Sequence, residues 1–265
     1  MRNRIDVSDA GAAVSHPDPV RRTQEQMKQA LPRRFYSDAV AVETADGFVI
    51  QLDGKPVRTP GKALLAVPSR KAAELVAAEF MAQEEVINPV SMPLLRIINS
   101  AIDGVAADLQ AVVEDVIRFS ASDLICYRAE APEALVVRQA LAWNPVLDWA
   151  RSALGAQFFL AEGIMHVKQP QKSLDAVGSW LQQRQDPFRL ASIHVMTTLS
   201  GSALLALAVD AGALAAEQAW LAAHVDEDWN SEQWGEDDEA IARRQARYRE
   251  FNAAVTLGLA LQGSD

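Results

Sequence analysis

Cysteine is almost absent from this chain. A single residue, Cys126 in SDLICYR, stands among 265, which excludes an internal disulfide framework and fits a reducing compartment. A basic surface is lacking too. Lys and Arg number 25 against 35 Asp and Glu, a net charge of −10, and no basic stripe with interleaved aromatics occurs, so nucleic acid is not an expected partner. Complete catalytic signatures are missing: no GxGxxG follows a strand, no GxSxG elbow is present, and His16, His166, His194 and His224 show no helical pairing with Glu. Dinucleotide-fold and nucleophile-elbow chemistry therefore have no support. The one long uncharged run, LASIHVMTTLSGSALLALAV from Leu190 to Val209, is too rich in Ser, Thr, His and Gly for a lipid-facing helix. It reads as a central buried helix, with Gly201, Ser202 and Ala203 letting neighbours approach closely. The N-terminus has no apolar signal region, and Asp6, Asp9 and Asp18 spoil a transit peptide. Residues 1–33 read as a mobile leader.

What is present divides by period. From Phe35 to Pro68 short β runs are cut by turns; Val40, Val42, Phe48, Ile50 and Leu52 alternate as in a half-buried strand, and Asp46-Gly47 and Asp53-Gly54 are hairpin signals. After Pro68 the spacing becomes helical, beginning with a Ser69 cap and a face of Ala72, Leu75, Val76, Glu79 and Phe80. Further helices are expected near Pro93–Asp103, Ala106–Ser120, Pro132–Ala142, Pro145–Leu154, Ser173–Arg184, Phe188–Val209, Leu214–Trp229 and Asp238–Leu261, with a short extended QFFLA between two of them. The fold class is α+β: a small antiparallel β-rich N-terminal domain, 34–68, followed by a larger all-helical C-terminal domain, 69–265.

Individual motifs argue mostly for structure. DGKPVRTPGK has the glycines of a phosphate loop but the wrong spacing, two prolines without N–H groups, and Ala63 where a hydroxyl is needed; a β-hairpin is the better reading. Cys126, flanked by Leu124, Ile125 and Tyr127, reads as a buried, inert thiol. His194 reads as a hydrogen-bonded structural residue. The unusual segment is AHVDEDWNSEQWGEDDEA, Ala223 to Ala240, with eight carboxylates, two tryptophans and no Lys or Arg. Asp226, Asp228 and Asn230 alternate like the start of a calcium loop, but Ser231 and Asp237 stand where that loop wants Gly and Glu. Glu236, Asp237, Asp238 and Glu239 suit the start of a helix, with Glu239 four before Arg243. Asp226, Glu227 and Asp228 fall in the last turn of the expected preceding helix, where the dipole disfavours them; beside Trp229 and Trp234 they have the composition of a protein-binding patch.

Five ordered motifs, RRFY, GFVIQLDGKPVRTP, AAEFMAQ with INPVSMPLLRIINSAID, SDLICYRAEAPEALVVRQALAWNPVLDWA and VDEDWNSEQWGEDDEA, resemble a known family from about Arg34 to the end. These are the assembly chaperones of the ATP synthase F1 sector that bind its alpha subunit, found in mitochondria and alpha-proteobacteria. The resemblance implies a non-catalytic molecular chaperone that holds the free alpha subunit soluble before hexamer assembly, without cofactor, metal or small-molecule substrate. It implies a cytoplasmic location in a bacterium, against the mitochondrial matrix for eukaryotic relatives. The partner-binding residues it suggests are Asp226, Glu227, Asp228, Trp229, Glu232, Trp234 and Gly235, with Glu227 matching the family's acidic pattern best. Phe80 stands where the family usually has Trp, and Asn144 where it has Asp. The alternative from another class is a calcium- or magnesium-binding module, or a metal-dependent enzyme, built on Asp226, Asp228, Asn230 and Asp237.

Overall fold

In the computed structural model, residues 31–163, 166–235 and 237–262 are described; most of the segment read as a leader, including His16, lies outside them. Strands β1 (Ala39–Thr44) and β2 (Gly47–Leu52) form an antiparallel hairpin, and β3 (Lys55–Pro56) and β4 (Ala66–Val67) pair with the two halves of β2's free edge. The DGKPVRTPGK stretch holds the turn after β2, β3 itself and the bend that leads on to β4, in keeping with the hairpin reading. Its Thr59 hydroxyl and Gly61 N–H donate to the Asp103 carboxylate, at 2.5 and 2.8 Å. Within β1 the inward residues are the alanines: Ala39 is buried while Val40 is exposed, so the valines expected to face inward lie on the other side. In β2, Ile50 and Leu52 point inward as the alternation predicts.

Ten helices follow among the described residues. Helix α1 (Arg70–Met81) is capped by the Ser69 hydroxyl, which accepts from Ala72 N–H and donates to the Ala260 carbonyl at 2.7 Å. Its buried face of Ala72, Val76 and Phe80 lies on the sheet, and Phe80 packs edge-on against Tyr36, whose hydroxyl donates to the Phe80 carbonyl. Glu79 leaves the same face to accept the N–H groups of Leu94 and Leu95, at 2.8 and 2.9 Å. It thereby satisfies two of the orphan donors that open α2 (Pro93–Asp103). Helix α3 (Leu109–Ala121) follows, and then a two-residue parallel pair, β5 (Tyr127–Arg128) with β6 (Ala161–Glu162).

Between these two strands runs α4 (Glu133–Trp149), which continues straight through Pro145 into a π turn, Ala150–Leu154. The break expected at that proline does not occur. Trp143 and Val146 on either side are fully buried, and that burial outweighs the one backbone bond that proline cannot make. Asn144 is accordingly a mid-helix residue: its Oδ1 accepts from Arg128 Nη2 at 3.0 Å, and Arg128 lies over the Trp143 ring. QFFLA is extended but joins the sheet only at Ala161.

Helix α5 (Gln171–Gln182) leads to the centre of the molecule. The single helix expected over Phe188–Val209 is two, α6 (Pro187–Ser200) and α7 (Ala203–Asp210). Gly201, at φ 70°, ends the first, and the Ser202 hydroxyl caps the second by accepting from Leu205 N–H. Every residue of α7 is buried. Asp210, at its end, is held by Arg184 and Arg189 at 2.7–3.1 Å. Asp123, fully buried, accepts from Leu204 N–H at the start of α7, and burial pushes its carboxyl up to about 6. His194 is hydrogen-bonded as expected, to Asp115 at 2.6 Å, yet it sits at the surface side of α6. Cys126 is buried, and its thiol is pushed up to about 12. One continuous apolar core joins the sheet, α1, α2, α3, α5, α6, α7 and the last helix, α10 (Asp238–Leu261). No helix among the described residues is long and apolar enough to cross a membrane.

Burial raises the Glu79 carboxyl from 4.5 to about 7. Since the folded value is the higher one, the stability contributed by this group is fully present below pH 4.5 and is lost as pH rises through about 7. In Glu79→Gln that loss disappears. Thermal melts of the variant between these limits should therefore fall less with rising pH than those of the wild type; parallel curves would assign the dependence elsewhere.

Candidate functional site

The helix expected over Leu214–Trp229 is also two: α8 (Ala216–Ala223) and α9 (Val225–Trp234). They meet at His224, with φ −118° and ψ 19°. The His224 side chain is buried, stacks on Trp220 with centroids 4.0 Å apart, and donates Nδ1–H to the Trp220 carbonyl at 2.7 Å. Burial, ahead of nearby Arg244 and Arg247, lowers its pKa and favours the neutral ring. The end of α8 is fixed from the other side by Trp143, whose indole N–H donates to the Ala222 carbonyl at 2.7 Å.

This break reverses one expectation. Asp226, Glu227 and Asp228 occupy the first turn of α9, not the last turn of the helix before. There the dipole favours each of them by about 0.3–1 kcal/mol, so these carboxylates do have a stabilising role. Along this stretch Val225 is buried, Leu214 and Trp229 are half-buried, and Leu221 is exposed.

Helical geometry then sends the carboxylates in different directions. Asp226 accepts from Gln139 Nε2 of α4 at 2.7 Å, and Gln139, itself buried, accepts from Ala129 N–H. Asp228 is bonded to Arg244 of α10. Glu232 takes both of its bonds from Arg138 of α4, at 2.7 and 2.8 Å. Glu227 is mostly exposed, with its carboxylate 3.6 Å from His224 Nε2. Trp234, seven residues further along the same face, is 88% exposed. Gly235 ends the helix at φ 84°, donating to the Ser231 carbonyl. Helix α9 is therefore a strut between α4 and α10 whose outward edge carries Glu227 and Trp234. The seven candidate residues lie on one helix and its cap, but do not converge on one point.

That arrangement disposes of the calcium-loop reading. Asp226, Asp228 and Asn230 stand on a helix, where residues two apart diverge by about 200°, and the two aspartates already have internal partners. Among the described residues no three His, Cys, Asp or Glu side chains are grouped to hold a metal ion. The second half of the acidic run behaves as read: Asp237 caps α10 by accepting from Glu239 N–H at 2.7 Å, and Glu239 pairs with Arg243. Glu236 lies outside the described residues.

Concave surfaces adjoin α9 on both sides. An open cleft of about 810 Å³ separates it from α10, lined by Trp220, His224, Glu227, Arg244, Arg247 and Tyr248 among others. A more apolar groove of about 710 Å³ runs between α4 and α8, with Val137, Leu141, Pro145, Leu214, Leu221 and Val225 in its walls. The sequence reading does not single out this groove. Its one local signal is the i, i+4 spacing of Val137 and Leu141, and the opposite wall comes from a helix some eighty residues later in the chain.

Residues 33–151 match the model of the ATP12 chaperone protein family. The chain is 22% identical over 220 residues to "Protein atp12, mitochondrial" of Schizosaccharomyces pombe, covering 78% of this chain and 75% of that protein. Among solved structures it resembles the Atu1473 protein of Agrobacterium tumefaciens, at 53% identity and TM-score 0.85, covering 93% of this chain and 92% of the other. It also resembles Atp12 of Paracoccus denitrificans, at 37% identity and TM-score 0.80, covering 86% and 98% respectively.

The geometry separates α9 residues that hold the fold from those that do not. Trp234→Ala should change unfolding free energy by less than about 0.5 kcal/mol. Asp228→Ala, which removes a partly buried charge-assisted bond to Arg244, should cost about 1–3 kcal/mol. Urea unfolding of the two variants measures this, and equal stabilities would refute the division.

Proposed function

Since this chain belongs to the ATP12 chaperone family, we propose that it assists assembly of the F1 sector of ATP synthase by binding the free alpha subunit and keeping it from aggregating. The observation that carries the reading is family membership joined to an exposed acidic and tryptophan-bearing helix edge, where Trp234 is 88% exposed and Glu227, beside His224, still presents most of its side chain to solvent. Subunits of an obligate hexamer expose large apolar faces before they meet, and such faces aggregate. A holder that must later release its client needs an interface of modest affinity, partly polar and wet at its rim. In this reading α9 is the docking edge: Glu227, Trp229, Glu232 and Trp234 meet the client, Gly235 turns the chain away after them, and Asp226 and Asp228 present the helix by bracing it on α4 and α10. The protein works in the cytoplasm of a bacterium, without catalytic turnover, cofactor or metal.

Two outcomes are expected. Tagged protein co-purifies with the alpha subunit and not with beta, and suppresses light scattering by alpha during refolding. Glu227→Lys keeps the helical circular dichroism signal of the wild type but weakens the complex at least several-fold. Absence of any complex would sink the proposal, whereas loss of helical signal in the variant would make Glu227 a structural residue.

A further inference from the structure

Outside α9, the surface feature with least structural justification is the groove between α4 and α8. Three of its apolar side chains are half or more in solvent: Val137 at 51%, Leu141 at 75% and Leu221 at 51% exposure. A lone exposed leucine is ordinary, but these three converge on one concavity with Pro145, Leu214 and Val225. Leu141, Val137 and Pro145 also wall a smaller hollow of about 360 Å³ that ends at Asp148. At the opposite end, Arg138 and Asp228 are shared with a hollow reaching Glu232. The apolar floor thus has a carboxylate at each extremity.

Both terminal carboxylates are within reach of solvent. Asp148 is 67% exposed and pairs with Arg151 through a single contact, worth about 0–1 kcal/mol; Glu232 accepts twice from Arg138 yet is 54% exposed, which leaves room for a second cation. From Arg138 to Asp148 along α4 is about 15 Å, the length of two to three helical turns. We propose that this groove seats one segment of the client, an amphipathic stretch whose apolar residues cover Val137, Leu141 and Leu221 and whose Lys or Arg residues, at its two ends, take Asp148 and Glu232. Charge complementarity favours that occupant, in a chain of net charge −10. The inference rests on the proposed client and adds a second, apolar contact to the acidic edge of α9, with which it is continuous through Asp228 and Glu232.

The test uses the full chain and purified alpha subunit. Leu141→Glu and Leu221→Glu, both at exposed positions, should retain the wild-type melting temperature while raising the Kd for alpha at least tenfold. A double charge reversal, Asp148→Lys with Glu232→Lys, should weaken binding and flatten its dependence on salt. Groove variants that bind alpha like the wild type overturn the groove while leaving the client intact. A wild type that elutes as a dimer, dispersed by Leu141→Glu, also overturns it, by making the groove a self-association face. A wild type that does not bind alpha at all overturns the client and, with it, this inference.

Discussion

The uncharged run from Leu190 to Val209 must be buried, and almost everything else in the molecule is arranged around that requirement. A straight helix of that length would extend about 30 Å. Gly201, in the left-handed conformation, folds the run back on itself, so that α6 and α7 pack together at the centre. Helices α2, α3 and α10 then close over α6, and α1 carries the sheet onto the same core. The few charges drawn inside are all committed. Asp123 accepts from the N–H groups of Ile125 and of Leu204, just after the fold-back, and Asp210 pairs with two arginines at the far end of α7.

Polar groups at helix ends connect this core to the site. Glu79 joins α1 to the start of α2, Trp143 fixes the end of α8, and His224 turns the chain there into α9. Because α8 is anchored at its C-terminus, α9 departs in a defined direction and bridges α4 and α10 through Asp226, Glu232 and Asp228. The membership of the ATP12 chaperone family fits such a scaffold, in which a braced helical body presents side chains outward.

Much of the architecture was legible in the residues. Asp237 and Pro93 announce the starts of α10 and α2, and the Asp-Gly turns announce the hairpin. The Gly201-Ser202 pair, a helix stop followed by a cap, carried enough information to split the central run, although its continuous hydrophobicity masks the signal. Two features left no usable mark. Pro145 ordinarily ends a helix, and only the burial of Trp143 and Val146 against residues distant in sequence shows why it does not. The break at His224 contains neither glycine nor proline, and depends on a tertiary bond from Trp143. That break decides the meaning of the acidic site, since it converts three carboxylates from the wrong end of one helix to the favoured end of another.

The bracing of α9 also bears on how such a surface can change over generations. Substitution at Asp226 or Asp228 disturbs Gln139 or Arg244, so a change there that keeps the brace calls for a matching change at its partner. Trp234 has no such obligation, and Glu227 answers only to the helix dipole and to His224. A lineage whose client altered its own surface could follow it at those two positions alone, keeping the platform while rewriting what the platform displays.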